Sequence, residues 1–235
     1  MIYDDRHLFV ALPKCASTFV QVLLQRKHKW RSTPHEPFGS WQHRPLCLAP
    51  EHLWAGREVF AVIRSPWAWY RSLYAYGMKT GYMRKWEPGK HHDFKSWLAL
   101  LLDGGGHPHL PQGQKLDTEF FSALAKWDIG YLTFNYVLQC STAPGQFLKR
   151  RTPPSEAVIG VQKFLRCENL ASDLSEYLGI DHADLAAEPK ANVNTSGHYS
   201  QDYTLELAAL VAHKERLICG RFGYAFEEKA CDAKH

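Results

Sequence analysis

Two short runs along the chain are apolar almost without interruption, and each ends on polar residues. His7–Leu12 (HLFVAL) stops at Pro13, and Glu58–Ile63 (EVFAVI) stops at Arg64-Ser65-Pro66. Continuous apolar runs of this length, bounded by turn residues, predict strands covered on both faces. Helical spacing follows each run. Thr18–Gln25 places Phe19, Val22 and Leu23 on one face, and Ser65, a favoured N-cap, precedes Pro66, a favoured first helical residue, in a helix reaching about Tyr76. Val158–Arg166 has strand character, and Leu170–Leu178 reads as a helix stopped by Gly179. Phe94–Leu102, Phe120–Gln139 and Leu205–Cys219 predict further helices. Thr152–Glu156 is a proline-marked turn and Asn192–Ser200 a polar loop. Residues 77–113 are irregular apart from the Phe94–Leu102 helix, with Pro88, Gly104-Gly105-Gly106, Pro108 and Pro111. Strands alternating with helices predict an α/β fold with a mostly parallel central sheet flanked by helices. No repeat, low-complexity tract or composition shift marks a boundary, so residues 1–235 read as one domain.

Composition narrows the classes. Of 235 residues, 45% are hydrophobic and 22% charged, which excludes wholesale disorder and supplies a core that needs no disulfide or metal. The longest uncharged apolar run falls far short of the ~18 residues of a membrane span. Asp4, Asp5 and Arg6 stand where the apolar part of a signal peptide begins, so the expected location is the cytoplasm. Six cysteines lie scattered with no C-x-x-C pair, the usage of reduced thiols. A net charge of +4 favours an anionic ligand but is too diffuse for a nucleic-acid binder. His91-His92 and His107-Pro108-His109 lack metal-ligand spacing.

Both strand exits carry groups suited to phosphate. After the first comes Pro13-Lys14-Cys15-Ala16-Ser17-Thr18. A strand–turn–helix offers unpaired amides and a positive dipole end to an anion. Lys14 adds a charge, Ala16 is small, and Ser17 and Thr18 add hydroxyl donors. The turn resembles a P-loop without matching its GxxxxGK[ST] spacing. After the second strand stands Arg64, where P-loop kinases use a metal-binding Asp. Arginine has the wrong charge for a metal and the right geometry for phosphate. Ser72, eight residues on, shares a helical face with Ser65 and points back toward the strand end.

With both signals present, the sequence resembles the sulfotransferases that use 3′-phosphoadenosine 5′-phosphosulfate (PAPS) and share a P-loop-like fold. LFVALPKCAST (8–18) is similar to the family's strand and P-K-x-G-[ST]-[ST] loop at the 5′-phosphosulfate, with Ala16 where many members carry Gly. VIRSPWAWYRS (62–72) is similar to the 3′-phosphate strand, with its R-x-P and a Ser eight residues later. FLRCENLASDLSEYLGI (164–180), NVNTSGH (192–198) and FGYAF (222–226) extend the likeness. It is weakest over residues 77–156. The resemblance implies cofactor contacts from Lys14, Cys15, Ala16, Ser17 and Thr18 on the 5′ side. On the 3′ side it implies Arg64 and Ser72, with loop contacts from Ser196 and Gly197. It implies sulfuryl transfer without metal, Lys14 stabilising the leaving oxygen, and a base some twenty residues before the arginine. His43, 21 residues before Arg64, fits that placement; His35 and Glu36 are rivals. The expected acceptor is a carbohydrate or small hydroxylated molecule, shaped by residues 77–113 as an acceptor-side insertion, with Trp30, Trp41 and Trp86 as stacking candidates. A nucleotide or small-molecule kinase, and a non-catalytic nucleotide-binding relative, are the alternatives.

Overall fold

The structure is a computed structural model that describes residues 1–33, 43–81, 93–103, 122–187 and 198–227. In chain order the elements are β1 (Ile2–Tyr3), β2 (His7–Val10), α1 (Ser17–His28), β3 (Arg31–Ser32), α2 (Glu51–Trp54), β4 (Glu58–Ile63), α3 (Pro66–Thr80) and α4 (Phe94–Leu102). They continue with α5 (Tyr131–Cys140), α6 (Pro144–Leu148), β5 (Lys163–Arg166), α7 (Leu170–Leu178), α8 (His182–Ala187), α9 (Leu205–Lys214) and α10 (Arg216–Phe222). These form two compact units, each made of two stretches of chain: Met1–Arg64 with Asn135–Val193, and Ser65–Phe134 with Asn194–His235.

The first unit is built on a five-stranded sheet of order β3-β1-β2-β4-β5. Its three longer strands, β2, β4 and β5, run parallel, with Phe9 opposite Phe60 and Ile63 opposite Arg166. Val59 through Ile63 are all fully buried, so β4 is covered on both faces, as its unbroken apolar run requires. Phe9 and Phe60 touch at 5.1 Å between ring centroids. Trp30 meets Phe60 edge-on and stacks on His7. Only 8% exposed, Trp30 is a core residue rather than an acceptor platform.

Several boundaries differ from the sequence reading for definable reasons. β1 and β3 are two-residue antiparallel additions, too short to leave a periodic signal. β5 begins five residues later than the predicted Val158. Before it, Gly160 donates to the Cys140 carbonyl and Ile159 forms only an isolated bridge with Ser141. On α1 the buried positions are Ser17, Val20, Leu23 and Leu24, whereas Phe19 and Val22 are half-buried.

The second unit packs α3, α4, α9 and α10. Trp67, Trp69 and Tyr70 of α3 are buried, as an aromatic stripe at helical spacing suggests. Trp67 donates from Nε1 to the Ala208 carbonyl at 3.0 Å, and Tyr203 donates to the Trp67 carbonyl at 2.8 Å. The helix runs on past Tyr76 to Thr80 and closes at Gly81, whose φ of 69° suits glycine. Residues 77–80 of the expected insertion therefore belong to α3.

Both long predicted helices are interrupted, and one residue links the interruptions. Glu215 separates α9 from α10, and Asp128 (φ 49°), Ile129 and Gly130 precede α5. The fully buried Glu215 carboxylate accepts from the amides of Leu132 (2.9 Å) and Thr133 (2.8 Å), the Thr133 hydroxyl (2.6 Å) and the Tyr70 hydroxyl. Tyr70 in turn accepts from the Tyr131 amide at 2.9 Å. The opening amides of α5 are thus capped by a side chain about eighty residues away in sequence. Gly130 lies where a Cβ would collide with Glu215 and Tyr70.

Candidate anion site at the strand exits

β2 delivers the chain to Leu12, whose carbonyl accepts from the Cys15 amide at 3.4 Å. Cys15 is fully buried and anchors the turn. On either side of it, Lys14 (φ 59°) and Ala16 (φ 54°) are left-handed although neither is glycine. Such a conformation costs an L-residue about 1–2 kcal/mol. Alternating hands of the backbone also gather successive N–H groups into a concave anion-binding nest. Ala16 occupies the N-cap of α1 without a side-chain cap, and no acidic residue stands in the helix's first turn. The N-terminal amides of α1 and their dipole therefore stand beside the nest with neither a side-chain cap nor an acidic residue in the helix's first turn.

Two cations border this turn. Lys14 is half-exposed, and Arg64, at the exit of β4, donates from Nη1 to the Lys14 carbonyl at 3.3 Å. Because Ile63 pairs with Arg166, the exit of β5 brings Cys167 and Glu168 to the same end of the sheet. Their charges and that of Arg64 act on the Cys15 thiol, but burial dominates and holds that thiol well above its ordinary range. Burial likewise raises Cys167, against the opposing pull of Arg64. Both thiols stay neutral, and Cys15 contributes its backbone.

His43 stands at the same exit. Its Nδ1 lies 2.8 Å from the carbonyl of Ala11. A carbonyl only accepts, so Nδ1 carries the hydrogen and Nε2 carries the lone pair. Burial lowers the imidazole from its ordinary 6.5, the Ala11 carbonyl opposes this, and the Lys14 charge lowers it further. At pH 7 the ring is therefore a neutral proton acceptor held beside a cationic loop.

The first unit brings together Lys14, Cys15, Ala16, Ser17, Thr18, His43 and Arg64, with Ser17 buried and Thr18 half-exposed. Ser72 belongs to the second unit, half-buried on α3, and Ser65 stands at the helix's N-cap position without a side-chain cap bond. Ser196, Gly197, His35, Glu36, Trp41, Trp86, His91, His92, His107 and His109 lie outside the described residues. Two contributions to the site left no sequence signal: the Ala11 carbonyl that fixes the imidazole tautomer, and the Arg64 bond to Lys14.

Backbone amides at a helix start, two cations and a neutral imidazole acceptor suit an anionic group whose reaction releases a proton. Among the described residues, no cluster of three His, Cys, Asp or Glu offers a metal site, and no helix is long and apolar enough to cross a membrane. The chain matches no family model and no curated protein.

Proposed function

We propose that this chain is a cytoplasmic, metal-independent sulfotransferase of P-loop-like fold that moves a sulfuryl group from PAPS to a hydroxyl of a carbohydrate or small-molecule acceptor. The observation that carries the reading is the pairing of the Lys14–Thr18 turn with Arg64 across two parallel strand exits, with His43 held by the strand that feeds the turn. The donor supplies an activated sulfuryl group and a phosphate leaving group. The residues present fit such a molecule: the nest and Lys14 receive its 5′ end, and Arg64 receives a second phosphate. By resemblance, Ser72, Ser196 and Gly197 complete the 3′ side.

In an in-line displacement, the bond from sulfur to the bridging oxygen breaks as the bond from acceptor oxygen to sulfur forms. Lys14 meets the negative charge that grows on the departing oxygen, an interaction stronger in the transition state than before it. The acceptor's proton passes to His43 Nε2, the nitrogen left with a lone pair.

The test is transfer of label from ³⁵S-PAPS to an acceptor library with metal chelated. Lys14→Ala is expected to lower kcat by on the order of 10²–10³, the range for losing one charge-stabilising donor. Arg64→Ala is expected to abolish detectable transfer through loss of donor binding. Near-normal turnover in either variant overturns that residue's role. Mg²⁺-strengthened ATP binding favours the kinase reading instead, and tight binding of 3′-phosphoadenosine 5′-phosphate with no turnover favours a non-catalytic relative.

A further inference from the structure

The Ala11 carbonyl that holds His43 Nδ1–H lies three residues before Lys14, on the same strand exit. Pinned there and partly shielded from water, the imidazole feels the charge state of the turn with little screening by salt. We propose that an anion seated on the Lys14 turn and a proton on His43 reinforce each other, so that the proton acceptor is coupled to occupancy of the turn. This rests on the reading of the turn as the donor's anion site and deepens it.

The physical basis is pairwise. Among the described residues, the charged groups bearing on the ring are Lys14 from the turn and the amino group of Met1 at the head of β1, both positive. Arg44, the next residue, is buried and acts on that amino group. An empty turn therefore opposes a proton on His43. A bound phosphate or sulfate offsets the Lys14 field and removes most of that opposition. Coupling between two binding events is reciprocal, so the same interaction makes the turn hold its anion more tightly when His43 is protonated. The base is then weakest before the donor arrives and strongest once it is seated. After transfer, loss of the proton from His43 loosens the remaining nucleotide, which ties product release to pH.

The experiment is an NMR pH titration of the His43 ring in the full chain, assigned with His43→Gln. It is recorded alone, with saturating inorganic sulfate, and with 3′-phosphoadenosine 5′-phosphate. Either anion is expected to move the His43 midpoint upward. Lys14→Met is expected to begin at a higher midpoint and lose the anion-induced shift, whereas Lys14→Arg keeps it. Calorimetry in buffers of different ionisation enthalpy gives a second readout that does not depend on the Lys14 variants. Wild type takes up protons on anion binding at acidic pH, and His43→Gln does not. A midpoint unmoved by an anion that calorimetry shows to be bound, or a full shift in Lys14→Met, overturns the coupling. If sulfate moves the midpoint but the nucleotide does not bind, the coupling stands and the sulfotransferase reading falls. If sulfuryl transfer from PAPS proceeds with no shift, the reading stands and the coupling falls. If neither anion binds, both fall.

Discussion

Two helix starts in this chain are built in opposite ways. At α1 the N-cap is Ala16, no side chain caps the helix, and Lys14 and Arg64 bring positive charge to amides that are already electropositive. At α5 the opening amides are met by Tyr70 and by a fully buried carboxylate, Glu215, with Thr133 adding its hydroxyl. Helix amides demand a partner wherever water is excluded. The second unit supplies that partner covalently, from its own chain. The first unit has no side-chain cap at α1, and under the function proposed above an anion takes that position. Under that proposal, a built-in anion makes one helix start structural, and its omission leaves the other start to bind.

The largest expected effect comes from breaking the closed start. Glu215→Ala strips four donors of their acceptor inside a dry site, and each buried donor left unsatisfied costs about 1–3 kcal/mol. Losses of about 3–5 kcal/mol follow when a buried charge network is broken, so the variant is expected to lie at the edge of unfolding. Urea unfolding followed by circular dichroism measures it. Glu215→Gln keeps one acceptor oxygen but turns an amide nitrogen toward donors, so an intermediate loss is expected. The pH dependence has a definite sign. Burial raises Glu215 above its ordinary value despite its four donors. Its contribution is therefore greatest below the usual glutamate pKa and declines as pH rises through the raised one. If Glu215→Ala unfolds with wild-type midpoint and slope, the contrast between the two helix starts fails.

Offering an anion to the α1 start is the next largest change. A ligand that binds only the folded chain adds about 2.7 kcal/mol at a hundredfold excess over Kd. Thermal unfolding with 3′-phosphoadenosine 5′-phosphate is expected to show that gain in the wild type, with most of it absent in Lys14→Ala. Glu215→Gln should keep the whole gain, because it alters the α5 start and leaves Lys14 and the α1 turn unchanged. Equal stabilisation of wild type and Lys14→Ala would place the bound anion elsewhere.

How much of this was legible beforehand follows the reach of each interaction. β4, α4 and α7 matched their expected residues because each is specified locally: an unbroken apolar run, Asp93 at an N-cap, Gly179 at a C-cap. The Lys14 and Arg64 turns were legible for the same reason, since strand, turn and helix follow one another in the chain. What failed to show in the sequence depends on partners distant along it. Glu215 sits among helix-forming residues, and nothing local says that it turns inward to end one helix and cap another. β1 and β3 exist only because they pair. His43 was chosen by its separation from Arg64, but its working nitrogen is decided by the carbonyl of Ala11, which no side-chain pattern encodes. Trp30 is buried against His7 and Phe60, and a lone tryptophan in sequence does not reveal that such a ring wall awaits it.

The smallest effect tests the turn's backbone. Ala16 holds a φ of 54°, where the family resemblance expects glycine. Glycine at this position relieves the left-handed penalty of about 1–2 kcal/mol, and returns about 0.5–1 kcal/mol of it through the greater freedom of the unfolded chain. Ala16→Gly is therefore expected to change stability by about 0–1.5 kcal/mol, in the stabilising direction, as measured by urea midpoint. Donor affinity should be kept, since the amides of the nest stay where they are. A β-branched residue reverses the sign: Ala16→Val crowds a left-handed backbone and is expected to weaken both stability and anion binding. If Ala16→Gly destabilises while Ala16→Val is neutral, the turn does not adopt the left-handed form. The open helix start would then present its amides in some other arrangement.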